Sequence, residues 1–177
     1  MGARNIAERP IPSFSSSSSS SNEAVDVLIT HGPPYKRLDL TDSGAFAGCP
    51  HLLRGLMRCR PLVHCFGHIH EGWGAEVVNW ARDVAKTAVM RAEQSEWTEG
   101  LWERGIDEDR GVKVLATDSE TGSKKRSVHV DMSSSGENEL VRGEQTLMVN
   151  AAIVDIHYAA VNAPVLVDVD LFASSGE

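Results

Sequence analysis

Two short apolar runs stand out along the chain, VDVLI at residues 25–29 and LVHCF at residues 62–66. Both are rich in β-branched residues and end at glycine or proline, which is typical of buried β-strands. Between them, Pro50 suits the first turn of a helix over about residues 49–60, and Pro61 ends it. Four apolar side chains form one face of that helix: Leu52, Leu53, Leu56 and Met57. The pattern predicts a strand, a helix and a second strand, the βαβ order of a parallel sheet.

The later pattern is mixed. After Gly74, six apolar residues recur at a helical spacing and predict a second helix: Val77, Ala81, Val84, Ala85, Ala88 and Ala92. Residues 107–144 are polar without a period, and we interpret them as an extended, mostly disordered insertion. Apolar residues return at 146–154 and at 165–171. The last segment alternates apolar and acidic residues, which predicts an edge strand or a strand buried on one face.

The domain organisation follows from these patterns. An unbroken serine run at residues 15–21 cannot bury apolar surface, so residues 1–24 are predicted to be a disordered tail. Residues 25–172 are predicted to form the α/β domain, interrupted by the polar insertion at 107–144.

Composition narrows the possible partners. The net charge of −8 and the pI near 5.3 argue against a nucleic-acid-binding patch, which needs basic residues. A small phosphorylated substrate stays compatible with this charge, because metal ions can supply local positive charge. No apolar run reaches the ~20 residues of a membrane span, and the N-terminus has no apolar signal region. Three cysteines form no paired set, so reduced packing residues and a cytoplasmic location are the default expectation.

Three histidines are the candidate metal ligands. His31 directly follows the first predicted strand, and His68 and His70 follow the second in the sequence FGHIHEG. The carboxyl ends of parallel strands meet at one edge of a sheet, and residues two apart in an extended segment point the same way. Neutral imidazole binds zinc, iron and other transition metals. We therefore expect three imidazoles in one crevice, although three unrelated loop histidines remain the alternative.

Three sequence blocks together resemble the calcineurin-like metallophosphoesterases. They are DVLITHGPP with the later GCPHLL, then RPLVHCFGHIHEG, and finally VNAAI with VNAPVLVDVDL. The resemblance covers about residues 26–80 and 146–171. It implies part of an αββα sandwich with a mixed sheet and a dinuclear site of Mn, Fe or Zn at one end of the sheets. It also implies that His31 and His68 bind one metal and His70 the other, where metal-activated water would hydrolyse a phosphodiester or nucleotide.

The family's remaining ligands lie in DxH, GD and GNH motifs that precede the segment beginning here at Asp26. Upstream of Asp26 this sequence has only the serine-rich tail, so the N-terminal half of the family's domain is expected to be missing. No catalytic residue is assigned, since the acid–base histidine belongs to GNH. Asp155 and His157 spell DxH but lie in the closing strand region. Lys36 stands where related sequences often have glycine, which leaves the loop conformation open.

Three functions therefore stay open. The chain is predicted to be a metal-dependent hydrolase of phosphate esters, with two divalent ions in the intact family. The first alternative is a non-catalytic truncated fragment that binds metal weakly or not at all. The second is a mononuclear metal module in which a thiol such as Cys65 joins the histidines. Half a sandwich would leave sheet edges uncovered, so self-association through those edges is also expected.

Overall fold

Seven strands and one α-helix form the part of the chain that the structure describes. The structure is a computed structural model that describes residues 25–81, 106, 111–117, 127–136 and 138–171. The elements are β1 (Val27–Ile29), α1 (Pro50–Cys59), β2 (Val63–Phe66), a 3₁₀ helix (His70–Gly72), β3 (Gly74–Asn79), β4 (Val112–Thr117), β5 (Val128–Asp131), β6 (Gln145–Asn150) and β7 (Val165–Asp168).

The predicted βαβ unit is confirmed. Strands β1 and β2 are parallel neighbours, with Val27 opposite Val63, and α1 connects them. The helix begins at Pro50, as expected for proline in a first turn, and ends where Arg60 takes a left-handed backbone with φ +41°. Strand β6 adds in parallel to the other side of β2. Three strands therefore end at the same edge of the sheet.

The sheet is mixed, as predicted for the fold class. Its order is β1-β2-β6-β3-β4, and β3 runs antiparallel to both β6 and β4. The helix predicted after Gly74 is wrong where the chain is described, because residues 74–79 form β3. All six residues of β3 are buried, so the strand lacks the polar alternation that identifies a one-sided strand. The predicted helical positions 84, 85, 88 and 92 lie outside the described residues.

Side chains alternate between two hydrophobic clusters on the two faces of this sheet. In β6, Leu147 and Val149 face one cluster, while Met148 faces the other. The Met148 cluster contains Leu53 and Leu56 of α1. The opposite cluster contains the buried valines of β5 and the partly buried valines of β7. A helix therefore covers one face of the five-stranded sheet and a second sheet covers the other.

The second sheet lies partly in the predicted insertion. Strands β5 and β7 pair in parallel, with Val128 opposite Val165. Strands β4 and β5 both fall within residues 107–144, where we expected mostly disordered chain, so that expectation is wrong for these two segments. Strand β7 alternates partly buried and exposed residues, as its apolar–acidic sequence predicted. The tail at residues 1–24 lies outside the described residues.

Strand β1 is an edge strand, and its predicted burial is wrong. Val27 is 44% exposed and Ile29 is 75% exposed, whereas Leu28 packs against the α1 cluster. One face of β1 is thus apolar and open to solvent. Within the described residues, no helix has the length and apolarity needed to cross a membrane.

Replacing Leu56 by alanine should destabilise the fold strongly. Leu56 is fully buried between α1 and the sheet, so Leu56→Ala removes apolar contacts and leaves a cavity. We expect a loss of about 2–5 kcal/mol in the free energy of unfolding, measured by urea denaturation. Leu52→Ala is the matched control on the same helix, because Leu52 is only partly buried, and its loss should be clearly smaller. Equal losses would contradict this packing.

Candidate functional site

The site lies at the edge where the parallel strands end. Pairing between the first two strands continues past their last residues, because Thr30 donates its N–H to Cys65 O at 3.0 Å and Gly67 donates to His31 O at 3.1 Å. These backbone bonds hold the two loops side by side. His31 and His68, the next residues along, are both exposed at this edge. The sequence therefore places two of the three predicted ligands together.

The two rings are close enough to share one ion. His31 Nε2 lies 3.0 Å from His68 Nδ1, and the ring centroids are 4.6 Å apart at an interplanar angle of 48°. Two imidazole nitrogens bound tetrahedrally to one zinc at about 2.0–2.1 Å would be separated by roughly 3.3 Å. The two nitrogens could therefore bind the same metal ion if the rings moved apart by a few tenths of an ångström. Without an ion, one ring must donate a proton to the other.

A tight backbone reversal presents His68. Its φ is +71°, and Ile69 donates its N–H back to Gly67 O at 2.9 Å, which together describe a γ-turn with positive φ. This turn is rare and strained, and such strain concentrates at functional sites. The predicted extended HxH segment is therefore wrong. A γ-turn followed at once by a 3₁₀ helix sends the His68 and His70 rings towards different neighbours.

His70 is held by the chain that follows β6. Its Nδ1 lies 2.9 Å from Asp155 O, and its ring meets that of Tyr158 edge to face at 5.7 Å. A carbonyl can only accept, so Nδ1 carries a proton, and Nε2 is the acceptor nitrogen in the corresponding tautomer. This is the usual arrangement of a metal-binding histidine whose other nitrogen is fixed by the protein.

The three histidines do not form one compact ligand group. Among the described residues, no three or more histidine, cysteine, aspartate or glutamate side chains lie together in a way that could hold a metal ion. The DxH tripeptide forms a local turn instead, as Asp155 Oδ1 accepts the N–H groups of His157 and Ala159 at 2.8 and 3.0 Å. The geometry provides a two-histidine pair and a separate, oriented His70.

Asn150 at the end of β6 supports the histidine loop. It is fully buried, and its amide donates to Ile69 O at 2.8 Å and Leu38 O at 3.0 Å while accepting from Ala152 N–H at 3.1 Å. Both amide hydrogens and the amide oxygen of Asn150 are therefore hydrogen-bonded. Gly72 adds a steric constraint, since a Cβ there would lie 2.0 Å from Leu38 O. Asn150 links the histidine loop to the proline-rich loop after β1.

Asp39 shapes the proline-rich loop. Its Oδ2 accepts the backbone N–H groups of Lys36 at 2.9 Å and Gly48 at 2.8 Å. Burial raises the pKa of Asp39, although these two bonds oppose that shift. Lys36 has φ +56°, a left-handed conformation that suits glycine. Lys36 therefore adopts this turn at a steric cost.

A buried ion pair lies beneath the same loop. Arg37 Nη1 is 3.3 Å from Glu76 Oε1, and both side chains are about nine-tenths buried. Burial raises the pKa of Glu76, Arg37 lowers it, and the nearby Asp39 raises it further. The loop after β1 is therefore fixed to β3 by charge as well as by backbone bonds.

His64 in the middle of β2 is a buried packing histidine. Thr30 Oγ1 donates to Gly32 O at 2.8 Å, so it must accept a proton from His64 Nε2 at 2.9 Å. The Nδ1 atom is buried without a hydrogen-bond partner. Burial lowers the pKa of His64 to about 4, which keeps the ring neutral near pH 7.

Three further residues with chemically versatile side chains lie outside this edge. Trp73 is buried and donates its indole N–H to Ala163 O at 3.0 Å, which is a packing role. His51 is exposed on α1. His129 lies on β5, and its Nε2 is 2.7 Å from Asp168 Oδ2 on β7.

Sequence reasoning missed two supporting residues and one contact. Asn150 was assigned only to a closing strand, and Asp39 was not singled out. A polar residue at the end of an apolar strand was the available signal for Asn150. Nothing in the sequence indicated that Tyr158 would lie against His70, because residues 88 apart meet only through the fold.

Comparison with curated proteins identifies partial relatives. A segment of 54 residues is 50% identical to Metallophosphoesterase domain-containing protein 1 of Homo sapiens, covering 29% of this chain and 17% of that protein. A UPF0046 protein of Caenorhabditis elegans is 51% identical over 61 residues, or 34% of this chain and 15% of the relative. Probable rhamnogalacturonate lyase C of Emericella nidulans is 47% identical over 75 residues, or 41% of this chain and 7% of that protein.

These matches cover only a small part of each relative. The chain spans 7–17% of the length of these three curated relatives. No family model matches the chain, and no solved structure matches it. Seven per cent of the lyase is too little to bring its named activity to this chain. Two relatives that are 50% identical over 54 residues carry the name Metallophosphoesterase domain-containing protein 1. Their similarity supports a relation to metallophosphoesterases for that segment of the chain only.

Stability should depend on pH through His64. The folded-state pKa of about 4 lies below the ordinary 6.5, so the unfolded chain binds more protons between these values and stability falls as pH falls from about 6.5 to about 4. His64 should therefore contribute about 3 kcal/mol more to the free energy of unfolding above pH 6.5 than at pH 4. His64→Gln does not titrate. The stability difference between wild type and this variant, from urea unfolding at each pH, should change by that amount; a constant difference would contradict the assignment.

Asn150→Asp should destabilise the loops, although it preserves side-chain shape. The replacement turns an amide that donates to two carbonyls into an oxygen that faces them. We expect a loss of at least about 2 kcal/mol in the free energy of unfolding at pH 7, measured by urea denaturation. Asn162→Asp is the control, because Asn162 donates a single bond, to Ala152 O at 2.9 Å, and is less buried. A larger loss for Asn162→Asp would contradict the role of Asn150.

Proposed function

Since a segment of this chain belongs to the metallophosphoesterase family, we propose that the chain contributes part of a metal-dependent site that hydrolyses phosphate esters. One observation carries the proposal. His31 Nε2 and His68 Nδ1 lie 3.0 Å apart at the carboxyl ends of adjacent parallel strands, the usual position of active sites in such sheets.

In this proposal His31 and His68 hold one divalent ion, and His70 contributes Nε2 to a second. Divalent ions bound there would supply an activated water and neutralise charge on the phosphate oxygens. The ions would be Mn, Fe or Zn, which accept imidazole ligands. The exposure of His31 and His68 leaves this edge open to a phosphorylated substrate.

The residues of this chain position the ligands. Asn150 holds Ile69, the residue between His68 and His70, by its backbone oxygen. The carbonyl of Asp155 accepts from Nδ1 and orients the His70 ring, which leaves Nε2 as the nitrogen that would face a metal. Backbone bonds between the two loops keep His31 beside His68. Together these contacts reduce the rearrangement that metal binding would require.

Two imidazoles do not complete a coordination sphere. A zinc ion takes four ligands, and a pair of ions held close together needs a negative group between them to offset their repulsion. The described residues offer no carboxylate in a group with His31 and His68. We infer that this chain alone binds metal weakly and hydrolyses phosphate esters slowly, and that full activity requires further donors.

The mononuclear module with a cysteine ligand is less well supported. A cysteine binds metal as the thiolate, and burial raises the pKa of Cys65, which disfavours that form. Cys65 is also absent from any group of candidate ligands among the described residues. The non-catalytic fragment remains the alternative, and its prediction differs from the enzyme's in metal content and turnover.

Metal binding should depend on the histidine pair. Titration of the full chain with Mn²⁺ or Zn²⁺ by calorimetry should show binding, and His31→Ala or His68→Ala should weaken it at least about tenfold. His129→Ala is the control, because its ring pairs with Asp168 on the second sheet. It should leave the metal affinity unchanged.

Turnover separates the alternatives. Hydrolysis of bis(p-nitrophenyl) phosphate that requires Mn²⁺ and is lost in both histidine variants would support the phosphoesterase. One tightly bound zinc without turnover would support the module instead. Absence of both metal binding and turnover would contradict the proposal and support the non-catalytic fragment.

A further inference from the structure

A short hairpin stands beside the histidines. It follows β6 and turns back on itself: Val154 pairs with Ala160, and Val161 donates its N–H to Ile153 O at 3.0 Å. Its Asp155 carbonyl lies 2.9 Å from His70 Nδ1. The hairpin is therefore attached to the same ring that we propose as a metal ligand.

Tyr158 at the tip of this hairpin is 81% exposed, yet its ring has a defined neighbour. The ring centroid lies 5.7 Å from that of His70, with the ring planes at 81°. Trp73 provides a contrast, since it is buried and its indole N–H is bonded to a carbonyl. Core packing therefore does not account for Tyr158.

The backbone of Tyr158 is strained and firmly held. Its φ is +61°, a left-handed conformation that is an outlier for a bulky residue and costs on the order of 1–3 kcal/mol. Three hydrogen bonds to Asp155 maintain it: His157 and Ala159 donate to Oδ1 at 2.8 and 3.0 Å, and Tyr158 donates its own N–H to the Asp155 carbonyl at 3.0 Å. Strain maintained in this way points to a use for the exposed ring.

The surroundings of Tyr158 suit a flat apolar group. Ile156 is 55% exposed and Ile153 is 47% exposed on the same hairpin. An aromatic ring open to solvent prefers stacked or edge-to-face contact with another aromatic ring. Because the Tyr158 and His70 ring centroids are only 5.7 Å apart, the Tyr158 ring is within reach of an ester group on a phosphate held near His70.

We propose that Tyr158 determines specificity by stacking on a planar aromatic group of the phosphate ester bound at His70. This inference rests on the proposed function and extends it to a substrate class, aryl-bearing phosphate esters. The ring does not take part in the hydrolysis itself. It selects between substrates whose phosphates are alike.

The test compares phenyl phosphate with cyclohexyl phosphate, which matches it in size and charge but is not aromatic. Dissociation constants for the full chain with Mn²⁺ are measured by calorimetry. We expect phenyl phosphate to bind about 2- to 12-fold tighter than cyclohexyl phosphate. Tyr158→Phe should keep this preference, because the ring remains. Tyr158→Asn should abolish it while suiting the left-handed backbone, and cyclohexyl phosphate should bind both variants about equally.

Each other outcome has a defined meaning. A preference for phenyl phosphate that survives Tyr158→Asn overturns the role of Tyr158, and so does its loss in Tyr158→Phe. Equal binding of the two ligands by wild type overturns the aromatic selectivity but leaves the phosphate site intact. If neither ligand binds with Mn²⁺, the proposed function itself fails, and this inference fails with it.

Discussion

Parallel hydrogen bonding among β1, β2 and β6 determines where the functional groups lie. Because the three strands run the same way, His31, His68 and Asn150 all come at or just beyond their carboxyl ends. The bond from Gly67 to His31 extends this pairing into the loops, which brings the two imidazoles within 3.0 Å. The position of Asn150 then depends on the same register, so the histidine pair and its support are built by one set of strand contacts.

Buried polar groups beneath this edge make the loops rigid. His64 is neutral and bonded to Thr30, and Arg37 pairs with Glu76 out of contact with solvent. Removing one partner of a buried pair is costly, because the other is left unsatisfied. The loops that carry the exposed histidines are therefore fixed by buried contacts on their inner side.

The sequence predicted the local features well and the long-range ones poorly. The βαβ unit followed from apolar runs bounded by proline and glycine, and α1 begins at the proline that predicted it. Strand β3 was mistaken for a helix because it is buried on both faces and shows no alternation. Of the site, the pair His31 and His68 could be predicted from strand order. The separate orientation of His70 could not, since it depends on a γ-turn and on the distant Asp155.

The γ-turn at His68 has a mechanical consequence. By reversing the backbone within one residue, it lets neighbouring parts of a single tripeptide contact opposite walls of the edge: His68 meets the loop after β1, and His70 meets the hairpin after β6. The tripeptide therefore joins the loop after β1 to a hairpin that lies more than 120 residues beyond His31 in the sequence, so a single short stretch of backbone fixes contacts on both sides of the edge.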